Sequence, residues 1–323
     1  MKILRYNYKN LIKTGLLIDD NKIISIDNLN LESEEKLTSH DHYIIQNKLY
    51  NVEPIFLIEL INKKIITGSE KYNNKNLIDL NNVELLSPIV KANSLRDAYS
   101  FRKHVEAGRK SRNLPMIKEF DEVPVYYYSN HTAITGPGEL FFNQKHLNKL
   151  DFELELAIII GEKGKNIKVK DADKYIFGFM IMNDWSARDI QKQEMALNLG
   201  PAKGKDFCTS LGPYIVTKDE IKKEKSNSGN IYDLEMLAFI NDIKISQDNA
   251  KNMHWTFAQI ISHISLGTTL HPGDVIGSGT CATGCLLELN LTNKTNTWLK
   301  TNDVITLEID KLGKLKNKIN LEN

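Results

Sequence analysis

The stretch Asp151-Phe-Glu-Leu-Glu-Leu-Ala-Ile-Ile-Ile-Gly161 constrains this chain more than any other. Side chains alternate faces along a strand. Read as a strand, it puts Glu153 and Glu155 on one side and Leu154, Leu156, Ile158 and Ile160 on the other; the acid side continues as Ala157 and Ile159. Same-face neighbours lie about 6–7 Å apart, so two carboxylates can share one hard cation. A second apolar strand, Ile176–Met182, runs straight into Asn183-Asp184-Trp185-Ser186-Ala187-Arg188-Asp189-Ile190-Gln191. An acid at the end of a buried strand and just before a helix is well placed as a ligand. Helix capping by Asp184 or Ser186 is the purely structural alternative. Glu153, Glu155 and Asp184 make an all-oxygen set, which favours Mg²⁺ or Ca²⁺ over zinc. Asp97 is a candidate fourth member. Clustered acids repel one another unless a cation offsets them.

The remaining pattern is mainly β. Apolar runs alternate with turn signals at Tyr214–Val216, Met236–Ile240, Ile243–Ile245, Val275–Ile276, Leu286–Leu291 and Val304–Ile309, all read as strands. Asn241-Asp242 is read as a hairpin turn, and Ile23–Ile26 after Asp19-Asp20-Asn21 as the second strand of a hairpin. Phe56–Ile61 fits helix or strand. Asn73–Asn76 and Asn81-Asn82 read as loops. Helices are predicted over Asp97–Arg109, Trp185–Glu194 and Lys251–Ser265, the second with capping-box-like spacing of Ser186 and Asp189. The third carries Met253, Phe257, Ile260, Ile261 and Ile264 on one face, read as core. Residue texture changes near Ser87-Pro88, where the residue before proline leaves helical geometry. The division expected is a small accessory domain over 1–86 and a catalytic domain over 87–323. At roughly 150 residues per domain, 323 residues fit two.

Composition removes several function classes. The chain has 42 basic and 41 acidic residues, a net charge of +1, and so no general attraction for nucleic acid or anionic lipid. No apolar run approaches the ~20 residues of a membrane span, and the N-terminal residues lack a signal-type apolar region. A cytoplasmic setting is expected. Cys208, Cys281 and Cys285 do not make a disulfide framework, and Cys281-x-x-x-Cys285 lacks a second Cys/His pair for zinc. Arginine supplies only six of the basic residues, and Arg96, Arg102, Arg109 and Arg112 are clustered. A planar fork that grips carboxylate is not replaced by lysine. Gly204-Lys205-Asp206-Phe207-Cys208-Thr209 sets a lysine and a hydroxyl four residues apart, outside any nucleotide-binding pattern.

Taken together, Glu153–Gly161, Met182-Asn-Asp-Trp-Ser-Ala-Arg-Asp-Ile-Gln191, Lys203–Val216, Met253-His-Trp-Thr256 and Leu270-His-Pro-Gly-Asp-Val-Ile-Gly-Ser-Gly-Thr280 resemble the fumarylacetoacetate hydrolase family over residues 86–323. The resemblance implies an α+β fold, mainly β with α, built as a mixed β-sandwich roll after a small N-terminal domain. It implies a homodimer and a divalent cation (Mg²⁺, or Ca²⁺ or Mn²⁺) on Asp97, Glu153, Glu155 and Asp184. The substrate implied is a small anionic diketo or 2-oxo acid, with neither nucleic acid nor membrane as partner. It further implies His104 as general base with Glu288 as its partner, and Arg188, Gln191 and Lys205 as oxyanion stabilisers. Lys205 and Thr209 would support the metal site. Tyr99, Tyr127, Thr280 and Arg109 or Arg112 would contact substrate. Read alone, His104 is a surface histidine on a helix, whereas Glu288 in an apolar run needs a partner. The register departs from the family where Asn113 stands nine residues after His104 and where Tyr126-Tyr127-Tyr128 offers three tyrosines. The chemistry implied is hydrolysis of a C–C bond, with decarboxylation, hydration or tautomerisation as the alternative within the family. A non-catalytic small-acid or metal-binding protein is the reading outside enzymology.

Overall fold

A computed structural model describes residues 1–19, 21–29, 57–58, 61–62, 73–110 and 113–322. The principal strands are β1 (Lys2–Tyr8), β2 (Leu11–Ile18), β3 (Lys22–Ser25), β4 (Leu95–Ala98), β5 (Leu154–Ile160), β6 (Ile176–Asp184), β7 (Thr209–Thr217), β8 (Glu235–Ile240), β9 (Ile243–Asn249), β10 (Val275–Gly277), β11 (Val304–Ile309) and β12 (Gly313–Leu321). The helices used below are α1 (Arg102–Lys110), α2 (Arg188–Ala196), α3 (Phe257–Ile264) and α4 (Leu286–Asn293).

Among the described residues, a twelve-stranded sheet runs from Ile78–Asp79 through β3, β2, β1, β7, β6, β5, β10 and β4 to Tyr126–Ser129. A five-stranded sheet has the order β9, β8, β11, β12 and Gly138–Phe142. β5, β6 and β7 are buried along their whole length. Their near-continuous apolar runs follow from cover on both faces. One face packs against β8, β11, β12 and α3 through Leu156, Ile158, Phe179, Met236, Phe257 and Leu307; the other meets the N-terminal strands through Ile3, Ile24, Ala157, Ile159 and Met180. β1 pairs with β7, Ile3 opposite Ile215, so the large sheet continues across the expected boundary at Ser87-Pro88.

The expected α+β architecture is present, and most predicted strands appear, several longer than read. The β2–β3 hairpin forms, and Asn241 and Asp242 both have positive φ, +50° and +65°, between β8 and β9. Paired positive φ matches the right-handed twist of a two-residue hairpin. Phe56, Glu59 and Leu60 of the Phe56–Ile61 run, Asp20 and Arg112 lie outside the described residues.

Four local readings are corrected. Asp97 lies not in a helix but in β4, held between Gly277 of β10 and Tyr127; the helix begins only at Arg102. Tertiary strand pairing overrides the local helical pattern there. Leu286–Leu291, read as a strand, lies in α4; a short apolar run does not distinguish the two by periodicity. α2 starts at Arg188 without a side-chain cap, because the Ser186 hydroxyl donates to the Asp184 carbonyl instead. α3 spans only Phe257–Ile264, where Thr256 and Gln259 form the capping box that the sequence reading placed elsewhere.

Candidate active site

Three strands of the large sheet bring the acids together. Asp97 comes from β4, Glu155 from β5, Asp184 from the end of β6, and Glu153 directly precedes β5. One carboxylate oxygen from each lies within 4.8 Å of the others. Between β4 and β5 stands Gly277 of β10, and a Cβ there would meet Asp97 Oδ1 at 2.6 Å and Glu155 Oε2 at 2.8 Å. The absent side chain is therefore a condition for the cluster. The Gly279 N–H donates to Asp97 Oδ1 at 3.0 Å and Glu155 Oε2 at 3.1 Å.

The electrostatics divide the four. Burial pushes Asp97 up to about 7. Burial and the adjacent Asp97 push Glu155 well above the carboxylate range. Burial also raises Asp184, against the pull of Lys205. For Glu153, burial acts upward, but Lys205 and Arg188 outweigh it and bring it down to about 2. Lys205 Nζ donates to Glu153 Oε2 at 2.5 Å and to Asp184 Oδ2 at 2.6 Å. Burial works against its charge, yet Asp184 and Glu153 hold it protonated. An ammonium has three N–H groups, so one remains for a ligand. Asp184 Oδ1 is buried without a hydrogen-bond partner. An orphaned buried acceptor in a cluster of mutually repelling, all-oxygen donors fits a hard divalent cation.

The second group is a histidine–carboxylate pair. His104 sits in the first turn of α1, and its Nδ1 lies 2.6 Å from Glu288 Oε2 on α4. Nε2 is left for a proton donor. The ring is close enough for its charge to favour ionised Glu153, which sets the pair near the acid cluster. Tyr99 meets the His104 ring edge-on at 5.8 Å.

Arg188 borders the acid cluster at Glu153. Its Nε donates to Asp151 Oδ2 at 2.8 Å, Nη2 to Glu153 Oε1 at 2.7 Å and Nη1 to Gln191 Oε1 at 2.9 Å. A guanidinium only donates, so the Gln191 amide is fixed with its oxygen inward and its Nε2 donor outward. Burial opposes the arginine charge, but Asp151 and Glu153 hold it.

Other expected site residues sit differently. The Tyr127 hydroxyl donates to Asp184 Oδ2, and its ionisation is suppressed by burial and by Asp184. Thr280 Oγ1 stands 3.5 Å from Glu155 Oε1. The β6–β7 ladder places Thr209 opposite Asp184. Arg109 is turned to the Pro115 carbonyl, its Nε at 2.8 Å, and lines an outer surface cavity with Lys103, Lys110 and Met116. No hydrogen bond joins it to the acids among the described residues. Arg96 is held by Ser94 and Tyr128, and Arg102 by Glu106 and Asp121.

Sequence reasoning passed over three residues here. Asp151 is fully buried and accepts from Arg188 and from the first amides of α4. Its signal was its parity with Glu153 and Glu155. Asn183 Oδ1 accepts from the Glu153 N–H at 2.9 Å. Cys285 lies with His104 and Glu288, ligand atoms within 4.8 Å of one another; nothing in its spacing pointed there.

Comparison with known proteins agrees with this geometry. The family described as "Fumarylacetoacetate (FAA) hydrolase C-terminal" matches residues 94–320. A fumarylacetoacetase of Oryza sativa subsp. japonica is 30% identical over 305 residues, covering 75% of this chain and 69% of that protein. The oxaloacetate tautomerase YisK of Bacillus subtilis is 27% identical over 337 residues, covering 99% of this chain and 100% of that protein. Among solved structures, a fumarylacetoacetate hydrolase from Exiguobacterium antarcticum superposes with a TM-score of 0.72 at 23% identity, and a maleylpyruvate hydrolase from Sphingobium sp. SYK-6, in complex with manganese(II) and pyruvate, with 0.68 at 19%. Both structures are covered over 100% of each chain. The chain belongs to the fumarylacetoacetate hydrolase family.

Proposed function

We propose that this protein is a divalent-cation-dependent hydrolase that cleaves the C–C bond of a β-diketo acid such as an acylpyruvate or fumarylacetoacetate. The observation that carries the reading is the His104–Glu288 pair near the four-carboxylate cluster. Asp97, Glu153, Glu155 and Asp184 would hold Mg²⁺, Ca²⁺ or Mn²⁺, and such an ion, when bound, polarises the carbonyl oxygens of the substrate. The manganese and pyruvate of the Sphingobium enzyme support this choice of group and ligand.

His104 Nε2 takes a proton from water, while Glu288 fixes the ring and stabilises the imidazolium. The hydroxide adds to the acyl carbonyl. Lys205, Arg188 and the Gln191 amide donor stabilise the oxyanion. The C–C bond then breaks, its electron pair forms the enolate of the departing oxo acid (pyruvate from an acylpyruvate), and the His104 proton returns to that carbon. For an acylpyruvate, one water is consumed, and the products are pyruvate and a carboxylic acid that releases its proton to solvent. Tyr99, Tyr127, Thr280 and Arg109 or Arg112 are proposed to shape the substrate pocket, Thr209 to support the metal site, and the protein to work as a homodimer.

Tautomerisation of a 2-oxo acid is the second reading. It is favoured by the match to the Bacillus oxaloacetate tautomerase over 99% of this chain. Both reactions pass through an enolate, but only hydrolysis needs a base that activates water. Purified protein supplied with Mg²⁺ and, in turn, acylpyruvates, fumarylacetoacetate and oxaloacetate separates them. Cleavage products support the hydrolase; keto–enol conversion of oxaloacetate without any cleavage overturns it.

A further inference from the structure

Asp151 takes no part in the steps above, yet its two oxygens reach both halves of the site. Oδ1 accepts from the N–H of Phe152 at 2.9 Å and of Leu286 at 2.7 Å. Oδ2 accepts from the N–H of Leu287 at 2.9 Å and from Arg188 Nε at 2.8 Å. Leu286 and Leu287 open α4, and the next residue is Glu288. The first amides of a helix have no partner within it, and negative charge is favoured at that end. The carboxylate thus sets the rotation of the first turn of α4, and with it the direction in which Glu288 leaves the helix. The other local acceptor, Cys285 Sγ, reaches the Glu288 N–H at 3.5 Å, and a thiol sulfur is a weak acceptor.

The same carboxylate also holds Arg188 in plane. Arg188 Nη2 is shared between Asp151 and Glu153, and Nη1 fixes Gln191. We propose that Asp151 is a positioning residue that keeps the His104–Glu288 pair and the anion-holding Arg188 in one fixed relation. The proposal rests on the reading that these two groups perform the chemistry, and it adds that one buried carboxylate aligns them.

The test reads the His104–Glu288 hydrogen bond without turnover. The Nδ1 proton of His104, held against a carboxylate, gives a far-downfield proton NMR signal, assigned by its loss in H104A. Two double variants are compared, D151N/R188M and D151L/R188M. Both remove the same two buried charges and keep similar volume. They differ in whether residue 151 keeps an oxygen that can accept from the Leu286 N–H. The signal is expected to persist in D151N/R188M and to vanish or move in D151L/R188M. An identical signal in both, or its loss from both, overturns the coupling to α4. D151A/R188M replaces the leucine variant should that one not fold, with the same expectation. For the arginine half, D151N alone sets an amide donor against Arg188 Nε–H. Folded D151N is expected to lose 10–100-fold in kcat with KM little changed, the usual size for such outer partners. An unchanged kcat overturns that half. Because the NMR comparison needs no substrate, failure of the hydrolase reading and failure of this proposal are separate results.

Discussion

Replacing Glu288 by Gln tests the histidine pair most sharply. The substitution keeps the shape and a hydrogen-bond acceptor beside His104 Nδ1 but removes the charge. Imidazolium and carboxylate centres ~4 Å apart interact by about 4 kcal/mol at an effective dielectric of ~20. The pair is not sealed from water, with side-chain exposures of 13% for His104 and 6% for Glu288. Screening at that edge and the retained acceptor bring the expected loss to about 2 kcal/mol. That corresponds to roughly a 30-fold fall in kcat at ~1.4 kcal/mol per factor of ten. E288A also removes the acceptor that fixes the ring, and the loss should grow by roughly another tenfold. Cation affinity should not change in either variant, because Glu288 touches none of the four clustered acids. The assay is steady-state hydrolysis of an acylpyruvate, followed by loss of its enol absorbance, with Mn²⁺ titrated calorimetrically in parallel. An E288Q enzyme whose kcat matches the native one would refute the role given to the pair.

Four further outcomes follow from the acid cluster. Asp97, at about 7, and the raised Glu155 hold protons that a cation must displace, so affinity for Mg²⁺ should climb between pH 6 and pH 8; isothermal titration with a pH-independent affinity contradicts this. The same groups are raised on folding, so without cation their contribution to stability is full at low pH and is lost as pH rises from about 4 through about 7. The rise in Tm on adding Mg²⁺ should accordingly be larger at pH 8 than at pH 5. G277A puts a methyl 2.6 Å from both Asp97 Oδ1 and Met182 Cε; it should cost about 1–3 kcal/mol of stability in thermal melts and weaken cation binding, and a variant with native Tm and affinity would show that the close approach is not required. K205M leaves Glu153 and Asp184 without their shared ammonium and should destabilise the metal-free protein by about 3–5 kcal/mol, with part of the loss recovered on adding Mn²⁺; no recovery would argue against these two acids as ligands.

The parts of the site legible in the sequence are those fixed by local alternation. Glu153 and Glu155 are two apart along one extended run, and Asp184 ends a continuous apolar run, so their shared environment follows from periodicity. Asp97 was legible as an acid but not as a strand residue. Its place depends on pairing with Gly277 and Tyr127, far away in the chain. Glu288 was misplaced in the same way. At the start of its helix the buried Asp151 carboxylate, 135 residues earlier, accepts the Leu286 amide, and no local propensity announces such a contact. Arg188 lay outside the arginine cluster that composition pointed to, and Asp151 was hidden inside a motif whose other two acids explained it without a third role.

The most direct test of the whole reading is product analysis of one acylpyruvate incubated with purified protein, with Mg²⁺ and again after removal of cations by chelation. Proton NMR should show the parent carboxylate and pyruvate forming in equal amounts, with cleavage stopped by the chelator and restored by Mg²⁺. A diketone that is enolised but never cleaved, or cleavage that persists with all divalent cations removed, would contradict it.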